Sequence, residues 1–218
     1  MDLGGAASAA CGGLSVVSLY SGRRGVHDAA VKPLRGTSLK RFLKNLDRPP
    51  RDLVVVLADV EDPVNVGSAF RIADAAGVTE LVLAGITPSP PHKLIEKVGR
   101  GKDSRVKWRK VDDVAVALAE LRSRGYWRVA VELTEDAVPY LECTWPQKVC
   151  LVVGHEDHGV TQKALAQTDA RVFIPMYGKG ASLNVHVAMG IVVFQALHGP
   201  ANVVAAAPAP APPASSEA

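Results

Sequence analysis

The chain of 218 residues holds only three cysteines, Cys11, Cys143 and Cys150, and no two of them form a CxxC pair. An odd set without CxxC spacing does not suggest a disulfide framework, and reduced, mostly buried thiols in a reducing compartment are expected. The histidines do not gather with these cysteines at ligand spacing, so no zinc or other metal site is expected. No apolar run reaches the roughly 18–20 residues that span a bilayer, and no membrane partner is expected. A secretory signal is not expected either, because Asp2 stands where a basic leader would begin. No GxGxxG follows the first apolar segment, so a nucleotide-dependent oxidoreductase finds no fingerprint. There is no internal repeat.

What is present describes a globular protein. The length fills one core and favours one domain. A hydrophobic share of 48% and a mean hydropathy of +0.11 do not fit a disordered chain. The net charge of +3 hides an uneven distribution. Residues 1–50 carry eight Lys/Arg against three Asp/Glu, and residues 93–110 carry eight against two. Two basic islands on an acidic remainder suggest a polyanionic partner. A solvated basic face would give the same counts, and charge alone does not separate the two.

Residues 1–36 are rich in Gly, Ala and Ser without periodicity, and a loose extension is expected there. Arg23–Arg24 and the scarcity of acids also fit a weak organellar transit segment; otherwise the expected location is cytoplasmic. A short basic amphipathic helix is expected from Ser38 to Leu46. Leu39, Phe42, Leu43 and Leu46 share one face, and Lys40, Arg41 and Lys44 the other. Strands are then expected at Leu53–Leu57, Leu81–Ala84, Val129–Leu133, Val149–Val153 and Val172–Pro175. Helices are expected at Val66–Ala76, Val114–Arg124, Thr161–Ala166 and Val185–Leu197. This alternation predicts an α/β fold with a mostly parallel sheet flanked by helices, over residues 37–198. The Ala/Pro-rich tail, 199–218, reads as disordered.

Three segments carry chemistry. In DVEDPVNVGSAFRIADAAG (59–77), a strand end leads into a helix bearing Asn65 and Arg71. The expected helix start puts Arg71 between one and two turns in, where the dipole disfavours a cation. That conflict hints at a charge kept for phosphate; pairing with Asp59, Glu61 or Asp62 is the plainer alternative. In LVVGHEDHG (151–159), Gly154 at a strand's end permits close approach of a ligand, and Glu156 offers a hydrogen-bonding carboxylate. His155 and His158 suggest a metal pair but lack a third ligand. In VFIPMYGKGASLNVHVA (172–188), a Gly-rich loop brings Ser182 and Asn184 to the start of the last helix. There they would cap the helix or line a binding surface.

Taken in order, N-x5-R in PVNVGSAFR, G-x-E-x-x-G in GHEDHG and IPM-x-G…SLNV-x-VA resemble the SpoU (TrmH) family of RNA 2′-O-ribose methyltransferases. The similarity covers about residues 38–197 and is greatest to stand-alone tRNA members. Each motif alone is weak; the ordered set is specific. The resemblance implies a C-terminal trefoil knot, S-adenosylmethionine as cofactor and a homodimer. It implies Arg71, Asn65, Glu156, Ser182 and Asn184 as the catalytic set. It implies cofactor contacts from Leu133, Gly154, Ile174, Met176 and Leu183. RNA phosphates would be tracked by Lys40, Arg41, Lys44, Arg100, Lys102 and Arg105. A tRNA substrate is implied first, at the D-loop guanosine 18 and then at the wobble ribose. Ribosomal RNA, or a non-catalytic RNA-binding protein of the same fold, are the alternatives. One departure stands out: His186 occupies a position that the family usually fills with a small residue, and a dimer seam is where it is expected.

Overall fold

The computed structural model describes residues 32–47, 51–180 and 182–200. Expectations for residues 1–31 and 201–218 lie outside that range. The chain divides into two units, Met1–Asp47 and Arg48–Ala218. In the first, α1 (Gly36–Lys44) is a helix with no buried residue, and Leu39, Phe42 and Leu43 are all exposed.

The second unit is an α/β layer structure. In chain order it runs β1 (Asp52–Ala58), α2 (Pro63–Ala76), β2 (Glu80–Ala84), α3 (Lys93–Gly99) and β3 (Trp108–Val111). It continues through α4 (Val114–Ser123), β4 (Trp127–Val131), β5 (Val138–Pro139), β6 (Lys148–Val153), α5 (Gln162–Leu165), β7 (Ala170–Phe173) and α6 (Val185–His198). The strands form one sheet in the order β3-β2-β1-β6-β4-β7-β5, and every pairing is parallel. Strand β6 forms late in the sequence yet lies between β1 and β4.

Burial explains why β1 and β6 read as continuous apolar runs. Leu53, Val55 and Leu57 of β1 and Val149, Leu151 and Val153 of β6 point into a core shared with α2, α3 and α6. The alternate residues, Val54, Val56, Cys150 and Val152, point into a second core under α4 and α5. A parallel sheet covered on both faces needs apolar side chains on both.

Helix α2 begins earlier than its periodicity suggests. Asp62 caps it by accepting from the Val64 N–H at 2.8 Å, and Pro63 fills the first turn. Gly77 closes it at φ 70°, as expected. Arg71 is therefore the ninth of its 14 residues, well past the first turn. This corrects the dipole argument: Arg71 does not sit where the helix N-terminus opposes a cation.

Three elements were not expected: α3, β3 and β5. The first two lie in the basic segment, where cations mask the apolar period. Their charges have a structural use. Glu80, 2% exposed at the start of β2, accepts ion pairs from Lys107 and Arg109, each at 3.5 Å, and from Arg124 at 3.0 Å. Strand β4 ends at Val131 rather than at residue 133, which leaves Leu133 exposed beyond it. Strand β7 likewise stops at Phe173, before Pro175.

The last turn of α6 is held from outside. Arg51 Nη1 donates to the Ala196 and Leu197 carbonyls at 2.9 Å each, and Nη2 donates to Gly199 O at 2.9 Å. A cation at a helix C-terminus satisfies carbonyls that lack intrahelical partners. Arg51→Ala should lower unfolding stability by about 1.5–3 kcal/mol, the usual worth of charged hydrogen bonds. Urea denaturation measures this, and amide exchange should accelerate first in the final turn of α6.

Candidate functional site

A cleft of about 310 Å³ opens at the carboxyl ends of β4, β6 and β7, three neighbours in the sheet. Ligands of open α/β sheets collect at such strand ends. Val131, Val153 and Phe173 form its floor, and Leu133, Ile174, Met176, Leu183 and Val185 add apolar walls. Glu132, Glu156 and Asp157 bring carboxylates, and Ser182 a hydroxyl. All five residues expected to contact a cofactor, Leu133, Gly154, Ile174, Met176 and Leu183, line this one cleft.

Gly154 is dictated by backbone crowding. A Cβ there would lie 2.2 Å from the Gly159 carbonyl carbon and 2.4 Å from Val160 N. The turn folds back tightly because His155 and Gly159 exchange backbone hydrogen bonds at 3.0 and 2.9 Å. Glu132, directly after β4, pins the same turn: its Oε2 accepts from Val160 N at 2.9 Å, and its Oε1 from Leu133 N at 3.1 Å.

The catalytic candidates divide. Glu156 and Ser182 line the cleft; Arg71, Asn65 and Asn184 do not. Asn65 is 3% exposed in the first turn of α2. Its Nδ2 donates to Glu156 Oε1 at 2.7 Å, and its Oδ1 lies 2.9 Å from His186 Nδ1. Glu156 also accepts from the backbone N–H groups of Glu61 (3.0 Å) and Asp62 (3.1 Å). Burial raises the Glu156 carboxyl, but the Asn65 amide and these N–H groups outweigh it and hold the group below the usual carboxylate range. Asn184 caps α6, its Oδ1 accepting from His186 N at 3.0 Å. Arg71 is exposed and makes no ion pair among the described residues, so the pairing with Asp59, Glu61 or Asp62 does not occur.

His186 is not an isolated departure from the motif: it closes a chain of hydrogen bonds that reaches the cleft. Burial lowers its pKa more than the nearby Asp62 charge raises it. Sequence reasoning also missed Glu132, although a carboxylate directly after a buried strand was the available signal. His155 and His158 stack with ring centroids 4.7 Å apart. His155 Nδ1 accepts from Asp157 N, and its Nε2 lies 3.4 Å from Glu61. Among the described residues no group of three or more His, Cys, Asp or Glu could hold a metal.

The basic island is less free than its composition implies. Lys102 pairs with Asp74 at 2.6 Å, and Lys107 and Arg109 serve Glu80. Lys110 donates to the carbonyls of Gly85 and Thr87. Arg100 and Arg105 are exposed without an ion pair among the described residues. Lys40, Arg41 and Lys44 are exposed on α1 in the other unit. No described helix is long and apolar enough to cross a membrane.

The model of the SpoU rRNA methylase family matches residues 52–194. The chain is 32% identical over 160 residues to the tRNA (guanosine(18)-2′-O)-methyltransferase of Escherichia coli, covering 73% of this chain and 69% of that protein. It is 31% identical to a 23S rRNA (guanosine-2′-O-)-methyltransferase of Neisseria meningitidis, covering 71% of this chain and 61% of that one. The structure of an S-adenosylmethionine-bound rRNA methyltransferase from Sinorhizobium meliloti superposes with a TM-score of 0.64 at 28% identity, over 71% of this chain and 59% of that one.

The hydrogen-bonded trio should loosen in acid. The folded state holds protons on His186 and Glu156 less tightly than the usual values of 6.5 and 4.5. Their contribution is therefore full above those values and declines as pH falls through them, His186 first. Melting temperature should drop between about pH 7 and pH 5 in the wild type, and the drop should be smaller in His186→Ala.

Proposed function

This chain belongs to the SpoU methylase family, and on that premise we propose that it transfers a methyl group from S-adenosylmethionine to a ribose 2′-hydroxyl of RNA, tRNA before ribosomal RNA. The observation that carries the reading is the convergence of two separate motifs, 151–159 and 172–188, on one cleft at the strand ends, with Asn65 of the third motif hydrogen-bonded to the cleft's Glu156. The cleft suits the cofactor in chemistry: apolar walls for a purine and carboxylates for a sulfonium. Gly154 lets the turn after β6 fold back on itself, and that turn forms one wall of the cleft. Leu133, Ile174, Met176 and Leu183 would hold the adenosyl group.

When bound, the cofactor would supply an already activated methyl carbon on a sulfonium that the transfer converts to a neutral thioether. The chain's own task is alignment of the hydroxyl oxygen with that carbon. Arg71, exposed and without an ion pair among the described residues, would grip the phosphate next to the reacting ribose and polarise the hydroxyl. A guanidinium does not accept a proton at neutral pH, so its role is positional. The ribose proton would pass to solvent or to a carboxylate of the cleft. Ser182 would contact the substrate from the loop before α6, while Asn65, Glu156 and Asn184 hold the surrounding backbone.

Arg71 is not among the residues that line the cleft, which fits a homodimer in which two copies complete each site. The trefoil knot that the family implies is part of the same reading. Arg100 and Arg105, with Lys40, Arg41 and Lys44, would contact RNA phosphates; Lys102 would do so only by leaving Asp74. A cytoplasmic location fits this substrate.

Methyl transfer from labelled S-adenosylmethionine should be followed on bulk tRNA and on ribosomal RNA separately, with digestion and mass spectrometry of the labelled nucleoside. A 2′-O-methylguanosine from tRNA is expected; label confined to ribosomal RNA would redirect the substrate. Failure to bind the cofactor would favour a non-catalytic RNA-binding protein. Arg71→Ala should reduce transfer on the order of 10²–10³-fold while leaving cofactor affinity unchanged by calorimetry. RNA affinity should fall linearly in log–log plots against salt, with a shallower slope in Arg100→Ala/Arg105→Ala.

A further inference from the structure

The amide of Asn65 could face its neighbours in either of two ways with almost the same shape. Hydrogen-bond polarity decides between them, because at 3% exposure neither end can turn to water. On one side stands Glu156, a carboxylate that already gathers the N–H groups of Glu61 and Asp62. Only a donor suits that side, so Nδ2 must face Glu156, as the 2.7 Å contact has it. Oδ1 is then committed to the opposite side, 2.9 Å from His186 Nδ1. An acceptor there demands a proton on Nδ1.

We propose that His186 is a positioning residue for methyl transfer: its Nδ1–H locks the Asn65 amide and, through Glu156, fixes the start of the Arg71-bearing helix against the cleft. The lock joins three segments. His186 belongs to the first turn of α6, directly after the loop of Ser182 and Leu183. Glu156 belongs to the turn after β6, and Asn65 to the first turn of α2. Alanine at 186 would leave a buried carbonyl oxygen without its donor and free the amide to rotate. The role rests on the methyl-transfer reading. It does not need His186 to touch the substrate, and the ring is absent from the cleft lining. Burial, which disfavours the imidazolium, suits a ring that is neutral and protonated on Nδ1.

The test uses the full chain and two substitutions at one site. His186→Ala should slow single-turnover transfer to RNA on the order of 10–100-fold, the scale of a small misplacement of reacting groups. Cofactor affinity by calorimetry should change less than about threefold, since His186 lies outside the cleft. His186→Asn, whose Nδ2 can take the place of Nδ1–H, should recover most of the loss. Nitrogen NMR of the wild-type ring should show a neutral imidazole protonated on Nδ1, and Asn65→Ala should release it to the other tautomer. Turnover unchanged in His186→Ala, an asparagine variant as slow as the alanine one, or an unprotonated Nδ1 would each overturn the proposal. A wild type that transfers no methyl to any RNA, with Nδ1 protonated, would instead refute the methyl-transfer reading and keep the lock as a structural contact only.

Discussion

Asn65 is buried where water cannot satisfy its amide, and that single constraint ties the site together. A buried amide must find partners of the right polarity or cost stability. Here the donor end takes Glu156 and the acceptor end takes His186. Glu156 in turn takes two backbone N–H groups ahead of α2. Residues more than ninety positions apart are thereby held in one arrangement by short, directional contacts. The network is polar in a molecule whose sheet faces are almost wholly apolar. Its members cannot shift singly without leaving a partner unsatisfied, which is how such networks specify a geometry.

The cleft owes its shape to a second constraint, the tight turn after β6. The backbone of Gly159 and Val160 passes so close to Gly154 that no side chain fits there. Glu132 secures the turn from the neighbouring strand, so the cleft wall is braced by β4 as well as by β6. In the proposed reaction this stiffness matters because the cofactor and the ribose must meet in line. A rigid strand end supplies that alignment better than a free loop.

Much of the positive charge serves the fold itself. Around Glu80 and around the Arg128–Asp169 pair, where Arg128 is 2% exposed and the contact is 2.6 Å, cations serve structure. They satisfy carboxylates that would otherwise be buried or half-buried alone. Only part of the 93–110 island is left for a polyanion. A segment's net charge therefore overstates its capacity for RNA, since each cation that an internal carboxylate holds must be released before it meets a phosphate.

The sequence by itself determined the class of fold, the order of the main elements and the cofactor candidates. Continuous apolar runs at 53–57 and 149–153 identify strands buried on both faces, because no solvated strand tolerates them. Gly154 was legible as a special glycine because it ends such a run, but what approaches it is the backbone of Gly159 and Val160, which only the folded turn brings there. Chain order also marked Asn184 as a cap, and the cap is what forms. The basic segment hid α3 and β3: at β3 the cations Lys107 and Arg109 pair with a distant Glu80 and carry no local periodicity, and α3 is only seven residues long, with Ile95 and Gly99 alone buried. Partner choice was likewise out of reach. Lys102 finds Asp74, Arg51 finds the end of α6, and Arg71 finds no ion pair among the described residues. His186 read as a mismatch with its motif because its partner, Asn65, lies 121 residues away. Hydrophobic patterning acts along the chain and is visible in one dimension. The polarity of a buried amide is settled only when three segments meet in space, and that meeting belongs to the tertiary structure.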